Sequence, residues 1–126
     1  MYEVKEGDKM KNELMPRTKK FALDIIQFVE TLPKIQSAGI IGKQLLRCAT
    51  SVGANYRAAQ RAKSKADFEY KIKIVEEESD ESIYWLELLL ESKMSKDDSK
   101  LQLLTQEADE LTAILSSIAI KLKNKK

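Results

Sequence analysis

The sequence predicts an all-helical protein, an antiparallel up-down bundle of four helices. Apolar residues recur at spacings of three and four along most of the chain, which is the period of an amphipathic helix. Hydrophobic residues make up 43% and charged residues 33% of the 126 residues, which suits helices with one apolar and one solvated face. Four glycines and two prolines supply too few turns for a sheet of many strands.

The first helix is predicted to follow a polar tail. Residues 1–16 are mixed in charge and without a steady period, so we expect a mobile tail that ends at Pro16, where a helix can start. The helix then runs from about Arg17 to Leu32 and ends at Pro33. Its apolar stripe consists of Phe21, Ile25, Phe28, Val29 and Leu32.

The second helix is predicted from Ser37, as a possible N-cap, to about Ala62. Its apolar stripe consists of Ile41, Leu45, Cys48, Ala49, Val52, Tyr56 and Ala59. Gly53 lies in mid-helix, where glycine costs roughly 1 kcal/mol relative to alanine. We interpret the small residues Ala49, Gly53 and Ala54 as a place where another helix approaches closely. The alternative is that Gly53 is a tolerated defect.

The third helix is predicted to begin after Ser64. The run from Ser64 to Asp67 resembles a capping box, with Asp where Glu or Gln is usual. Seven residues then form a heptad seam with two serines at its centre: Phe68, Ile72, Val75, Ser79, Ser82, Leu86 and Leu89. Further apolar residues lie partly off this seam, namely Ile74, Ile83, Trp85, Leu88 and Leu90.

The fourth helix is predicted to begin near Asp97 or Asp98, since an acidic residue favours a helix N-terminus. Its stripe keeps a strict alternation of three and four: Leu101, Leu104, Ala108, Leu111, Leu115, Ile118 and Leu122. Ile114 and Ile120 stand outside this stripe. Lysines crowd the C-terminal end, where cations suit the helix dipole.

These four helices predict one bundle domain over residues 17–123, followed by a basic end at 124–126. Short connections between helices of similar length make neighbours antiparallel. The apolar residues left over on the third and fourth helices predict a second buried face, which another copy of the chain would cover. The alternative is a scatter of ordinary surface hydrophobes.

The composition predicts a cytoplasmic protein. A lone Cys48 excludes a disulfide framework within the chain. No apolar run approaches the ~18 residues of a membrane span, and the N-terminus lacks the apolar core of a signal peptide.

We find no residues suited to catalysis, so we expect no enzyme, no cofactor and no metal. The acidic residues at positions 76–78, 80 and 81 resemble a di-iron helix, but that site needs Glu-x-x-His pairs and the chain has no histidine. A carboxylate-only metal site is the alternative to a solvated acidic face. Cys48 lies on an apolar stripe with no histidine base, which predicts a buried, inert thiol.

Charge is distributed unevenly along the chain. Residues 31–66 hold seven basic residues and no acid, whereas residues 67–95 hold nine acids and three lysines. We expect a basic surface along the second helix and around the following turn, suited to phosphate backbones. Its candidate nucleic-acid-binding residues are Lys43, Arg47, Arg57, Arg61, Lys63 and Lys65. The alternative, compatible with the first, is that these cations pair with the acidic third helix.

Residues 42–92 resemble the bacterial 23S rRNA intervening-sequence protein family, whose members are also known as S23 ribosomal proteins. An LLR-x-x-x-S-x-x-AN-x-x-x-A core matches Leu45, Leu46, Arg47, Ser51, Ala54, Asn55 and Ala59. A Ser-Lys-x-x-Phe element matches Ser64, Lys65 and Phe68, and an E-x-x-x-WL-x-L element matches Glu81, Trp85, Leu86 and Leu88. With the flanking helices the resemblance covers roughly residues 17–122, and the first sixteen residues have no counterpart in it.

The resemblance implies an up-down bundle assembled as a ring of five copies. Some members are encoded within insertions in 23S rRNA genes. A related branch, the accessory variability determinants of diversity-generating retroelements, binds nucleic acid and a reverse transcriptase through basic surfaces. Carried onto this chain, the matching basic positions are Arg47, Arg57, Arg61 and Lys65.

Two functional hypotheses follow. The first is a non-enzymatic, oligomeric binding protein that contacts RNA or DNA backbones through the basic second helix. The second is an assembly or adaptor ring whose charges serve subunit or partner-protein contacts alone. We expect Tyr56 to be a packing residue, because it lies on the apolar stripe, and we assign no role to Asn55.

Overall fold

The computed structural model describes residues 13–124. Across that range the secondary structure is helical, with no strand. The four helices are α1 (Leu14–Val29), α2 (Gln36–Ala59), α3 (Lys65–Ser92) and α4 (Asp98–Asn124). The prediction of four helices is therefore confirmed.

The helices pack in chain order around one core. Each helix contacts the next, and α1 also contacts α4, which closes the bundle. The connections are short, over residues 30–35, 60–64 and 93–97, so that neighbouring helices run antiparallel. No helix among residues 13–124 is long and apolar enough to cross a membrane.

Helix α1 begins earlier than the sequence predicts. It starts at Leu14 instead of Arg17, so the described part of the predicted tail is already helical from that residue. Pro16 lies in the first turn, where the N–H that proline lacks would have no partner within the helix. Leu14 is 2% exposed, and its burial in the core explains the earlier start. Residues 1–12 lie outside the described part.

The ends of α2 also differ from the prediction. Ser37 is not the N-cap, because the helix starts at Gln36 after Ile35, whose backbone is extended and whose side chain makes no cap. The helix ends at Ala59, and the next residues continue in tighter bonds such as that from the Ala62 N–H to the Ala59 carbonyl. Ala62 is nevertheless buried in the core.

Gly53 marks a close approach between α1 and α2, as predicted. A Cβ atom at this position would lie 3.4 Å from the carbonyl oxygen of Thr18 in α1. Ala49 is fully buried on the same helix, whereas Ala54 is exposed. At Gly42 a Cβ atom would lie 3.3 Å from a methyl group of Leu32, in the connection between α1 and α2.

Helix α3 begins as the capping pattern predicts. The N–H of Asp67 donates to the Ser64 hydroxyl oxygen at 3.1 Å. The Asp67 carboxylate accepts from the backbone N–H of Lys63 at 3.0 Å, one residue before the position that a capping box uses. At its other end the helix closes through Lys93, which adopts the left-handed conformation with φ 58°.

The heptad seam of α3 is buried, with both serines among its core residues. The Ser79 and Thr112 hydroxyls lie 2.7 Å apart and join α3 to α4. Ser82 donates to the carbonyl of Glu78 in its own helix. Each buried hydroxyl therefore has a partner, as burial of a polar group requires.

Helix α4 is capped by Asp97, whose carboxylate accepts from the N–H of Lys100 at 3.0 Å. All seven residues of its predicted stripe are buried. Of the apolar residues predicted to lie outside the stripes, Ile83, Trp85 and Ile114 are half-buried against the core. Ile120 is 58% exposed. Uncovered apolar surface therefore exists on α4, and its covering by another copy stays a prediction.

Candidate nucleic-acid interface

The six predicted cations fall into two groups in space. Lys43 and Arg47 lie in the first half of α2, whereas Arg57 lies in its last turn. Arg61 and Lys63 follow in the connection between α2 and α3, and Lys65 opens α3. Lys43 and Arg57 are 14 residues apart, which places them roughly 21 Å apart along the helix axis.

Arg47 binds the acidic helix. Its Nη1 atom lies 2.9 Å from Oε2 of Glu78, and its Nη2 atom lies 2.6 Å from Oε2 of Glu81. Arginine is suited to such a role because its planar guanidinium reaches two carboxylates at once. For this residue the structure shows the pairing with α3 that the sequence left as an alternative.

Glu81 is the centre of a small polar network. Its Oε2 atom accepts from the Cys48 thiol at 2.9 Å and from the indole N–H of Trp85 at 3.1 Å, in addition to Arg47. These bonds, led by those from Cys48 and Trp85, lower the pKa of the Glu81 carboxyl. Burial, followed by the bond to this carboxylate, raises the pKa of the Cys48 thiol to about 12.

The network suits a structural role and not a catalytic or metal-binding one. Cys48 is fully buried, which confirms its predicted place in the core. A thiol with so high a pKa is not a nucleophile near neutral pH, because the thiolate is the reactive form. Cys48, Glu78 and Glu81 bring their sulfur and oxygen atoms within 4.8 Å of one another. The Arg47 guanidinium binds both carboxylates, and a metal ion would have to displace it.

The other cations remain on the surface. Lys43, Arg57, Arg61 and Lys63 are exposed and Lys65 is half-buried. Between residues 13 and 124, none of these five side chains forms an ion pair.

Asp67 is the acid closest to these cations in sequence, and it is already engaged. Its Oδ1 atom lies 2.6 Å from the Lys71 ammonium, and its other oxygen accepts from the Lys63 backbone. The bond from Lys71, followed by that from the Lys63 N–H, lowers the pKa of the Asp67 carboxyl.

Of these cations, Arg57 lines a groove between α1 and α2 with a volume of about 390 Å³. Its lining residues are Met15, Pro16, Thr18, Lys19, Ala22, Thr50, Gly53, Ala54 and Arg57. Lys19 is exposed here, and our sequence reasoning did not select it. The available signal was weak, because basic and acidic residues balance over residues 1–30, so that this segment did not stand out as basic.

Sequence reasoning also missed an ion-pair cluster between α1 and α4. Arg17 binds the carboxylates of Glu107 and Glu110, each at 2.7 Å. Nothing in the local pattern identifies this contact, since 90 or more residues separate the partners. Arg17 is thereby removed from the set of free cations near the groove.

Asn55 and Tyr56 have structural roles. Tyr56 is 2% exposed, which confirms it as a packing residue. The Asn55 amide donates to the backbone carbonyl and the hydroxyl of Ser51, at 2.9 and 2.7 Å, and so stays on its own helix.

The chain is similar to known proteins along most of its length. A family model described as 23S rRNA-intervening sequence protein matches residues 10–117. This match starts before residue 17, so part of the segment for which we expected no counterpart lies within the family region. A solved structure of a protein with unknown function, from the S23 ribosomal protein family of Bacteroides thetaiotaomicron VPI-5482, is 33% identical with a TM-score of 0.74. That similarity covers 83% of this chain and 96% of the other.

No curated protein matches this chain. The family match nevertheless covers well over half of the sequence, and the solved structure shares both its fold and a third of its residues over the aligned region. The chain belongs to the 23S rRNA-intervening sequence protein family.

Proposed function

We propose that the protein is a non-enzymatic, cytoplasmic binding protein that holds the phosphate backbone of RNA or DNA. The proposed contacts are Arg57, Arg61, Lys63 and Lys65, at the end of α2 and the start of α3. One observation supports this most strongly: these side chains form no ion pair with residues 13–124, whereas Arg47, further back on α2, binds two carboxylates.

Phosphate contacts would give a role to a cluster of cations that pair with no acid among residues 13–124. A cation that neutralises a phosphate releases the counterion condensed there, which makes binding favourable at low salt and weak at high salt. The turn between α2 and α3 places four such cations within a short length of chain. They form no pattern that would read base edges, so we expect little sequence preference.

The test is a charge-reversal pair with a matched control. Arg57→Glu with Arg61→Glu should abolish salt-dependent binding to an RNA hairpin and to a DNA duplex. Lys34→Glu with Lys96→Glu changes the net charge equally, but lies in the connections at the opposite end of the bundle. We expect the control to bind almost as the unmodified protein does, and circular dichroism should show both variants folded. Unchanged binding by the Arg57 and Arg61 variant would overturn the proposed surface.

A second function is favoured by the bonds of Arg47 to α3. If charges on α2 and α3 chiefly organise helices and subunits, the protein is an assembly or adaptor ring. A ring of five copies would use the uncovered apolar residues as well, of which Tyr84 and Ile120 are more than half exposed. In that case the Arg57 and Arg61 reversal changes the native mass, measured by light scattering, while the unmodified protein shows negligible nucleic-acid affinity.

A further inference from the structure

We propose that the groove between α1 and α2 receives an unpaired nucleobase, with the adjoining phosphate held by Lys19 and Arg57. This inference rests on the proposed nucleic-acid function and names the form of nucleic acid that the surface prefers. It would make the protein a reader of single-stranded segments rather than a binder of any duplex.

The groove is large enough for a nucleobase, and small residues line it. Its volume of about 390 Å³ lies within the ~300–1,000 Å³ of small-molecule sites. Gly53 and Ala54 on α2 and Ala22 on α1 line it with side chains too small to protrude into it. The small side chains at these positions leave the space between the two helices open to a ligand.

The rim of the groove carries the apolar and stacking groups that bases use. Met15 is 37% exposed beside Pro16, and both line the groove. Arg57 lines it too, and an arginine guanidinium stacks on a base as well as binding a phosphate. An unpaired base would thus exchange water for apolar contact and cation stacking.

The charge of the groove selects an anionic ligand. Among residues 13–124, the charged residues that line it are Lys19 and Arg57, and no acid of that range does so. The groove between α3 and α4 provides a contrast, since Glu69 and Glu76 line it together with two lysines. The α1–α2 groove is also continuous with the proposed phosphate surface, because Arg57 belongs to both.

A duplex cannot use this site in full. Its bases are paired and stacked inside the helix, so that only the backbone would reach Lys19 and Arg57. A single strand offers both a phosphate and a free base, and sequence-tolerant stacking of this kind is common in single-strand binding. We therefore expect tighter binding of single strands than of duplexes at equal salt.

The test compares oligo-dT with an abasic strand of the same length, which keeps the phosphates and lacks the bases. At one fixed low salt concentration, the unmodified protein should bind oligo-dT about fivefold to tenfold more tightly, as stacking of one base implies. Ala54→Leu fills the groove and preserves helix propensity. It should reduce the difference to less than about twofold and leave the affinity for the abasic strand unchanged.

Two controls fix the location. Ala113→Leu makes the same chemical change on the exposed face of α4 and should behave as the unmodified protein. Lys19→Gln should weaken binding of both strands, whereas Lys20→Gln next to it should not, because Lys20 binds Asp24 and does not line the groove.

The possible failures are distinguishable. Equal, salt-dependent binding of the two strands overturns the base site and leaves the phosphate surface standing. A preference for oligo-dT that Ala54→Leu does not change places the base elsewhere and also overturns the inference. Absence of binding to both strands at low salt overturns the inference and the proposed function together.

Discussion

The Nη2 atom of Arg47 lies 2.6 Å from Oε2 of Glu81, and this contact ties the basic helix α2 to the acidic helix α3. It lies in the middle of α2, away from the exposed cations at the helix end. The two explanations of the basic segment therefore apply to different residues. Pairing with acids accounts for Arg47, and phosphate binding is proposed for the residues from Arg57 to Lys65.

Arg47→Ala should lower the free energy of unfolding by about 1 kcal/mol, because half-exposed ion pairs contribute ~0–1 kcal/mol each. Chemical denaturation measures this loss. Arg61→Ala, a matched change at an arginine that pairs with no acid among residues 13–124, should stay within about 0.5 kcal/mol of the unmodified protein. The effect on nucleic-acid affinity should be the opposite: Arg61→Ala should weaken binding more than Arg47→Ala does. A loss of affinity in Arg47→Ala without a loss of stability would instead place Arg47 in the interface.

Because of Cys48, the free energy of unfolding should fall as the pH rises above 9. Its folded pKa of about 12 lies above the ordinary value of 9.0. The unfolded chain therefore loses this proton first, and the stabilisation, complete below pH 9, declines as pH rises towards 12. By pH 10 the expected loss is about 1 kcal/mol.

The comparison with Cys48→Ala isolates this effect from other groups that titrate at high pH. The stability difference between the two proteins, measured by denaturation at pH 7 and pH 10, should shrink by about 1 kcal/mol. A difference that stays constant with pH would show that the thiol ionises alike in both states. Thiol reagents at pH 8 should also react far faster with the unfolded protein than with the folded one.

The hydrogen bond between Ser79 and Thr112 should give a coupling energy in a double-mutant cycle. Ser79→Ala and Thr112→Val each remove one hydroxyl, and each should cost about 1 kcal/mol. The double variant should cost about 0.5–1 kcal/mol less than the sum, because the bond is lost only once. Strict additivity in this double-mutant cycle would mean that the two hydroxyls do not interact in solution.

Gly53 should accept a methyl group but not a branched side chain. A Cβ atom there meets the Thr18 carbonyl at 3.4 Å, an ordinary contact, so Gly53→Ala should gain up to about 1 kcal/mol from helix propensity. Gly53→Val places further methyl groups near the same main chain and should cost about 1–3 kcal/mol. Thermal unfolding of the two variants measures both effects, and equal stability of Val and Ala variants would contradict the close approach.

Much of the fold was predictable because each helix carries its own periodic signal. The seams of α3 and α4 are buried residue for residue as the spacing predicted. The Ser64 cap was predictable for the same reason, since the residues that form it are local. The starts of α1 and α2 were misplaced, because burial of Leu14 and an uncapped turn at Ile35 decided them, and neither has a local signature.

The candidate site was predictable only as a set of cations. Local sequence shows which residues are basic, but not which of them have an acid within reach. Arg47 and Arg61 look alike in the chain, yet one binds Glu78 and Glu81 and the other is exposed and unpaired within the described residues. The groove containing Lys19 was not predictable, because its two walls come from different helices.

The helical class, the buried stripes, the uneven charge and the family follow from the sequence alone, because these properties depend on spacing and residue type within short windows. Packing of the helices sets which cations are neutralised and where α1 and α2 leave an open groove. Those properties depend on distances between residues remote in the chain, such as Thr18 and Gly53, and only packing sets such distances.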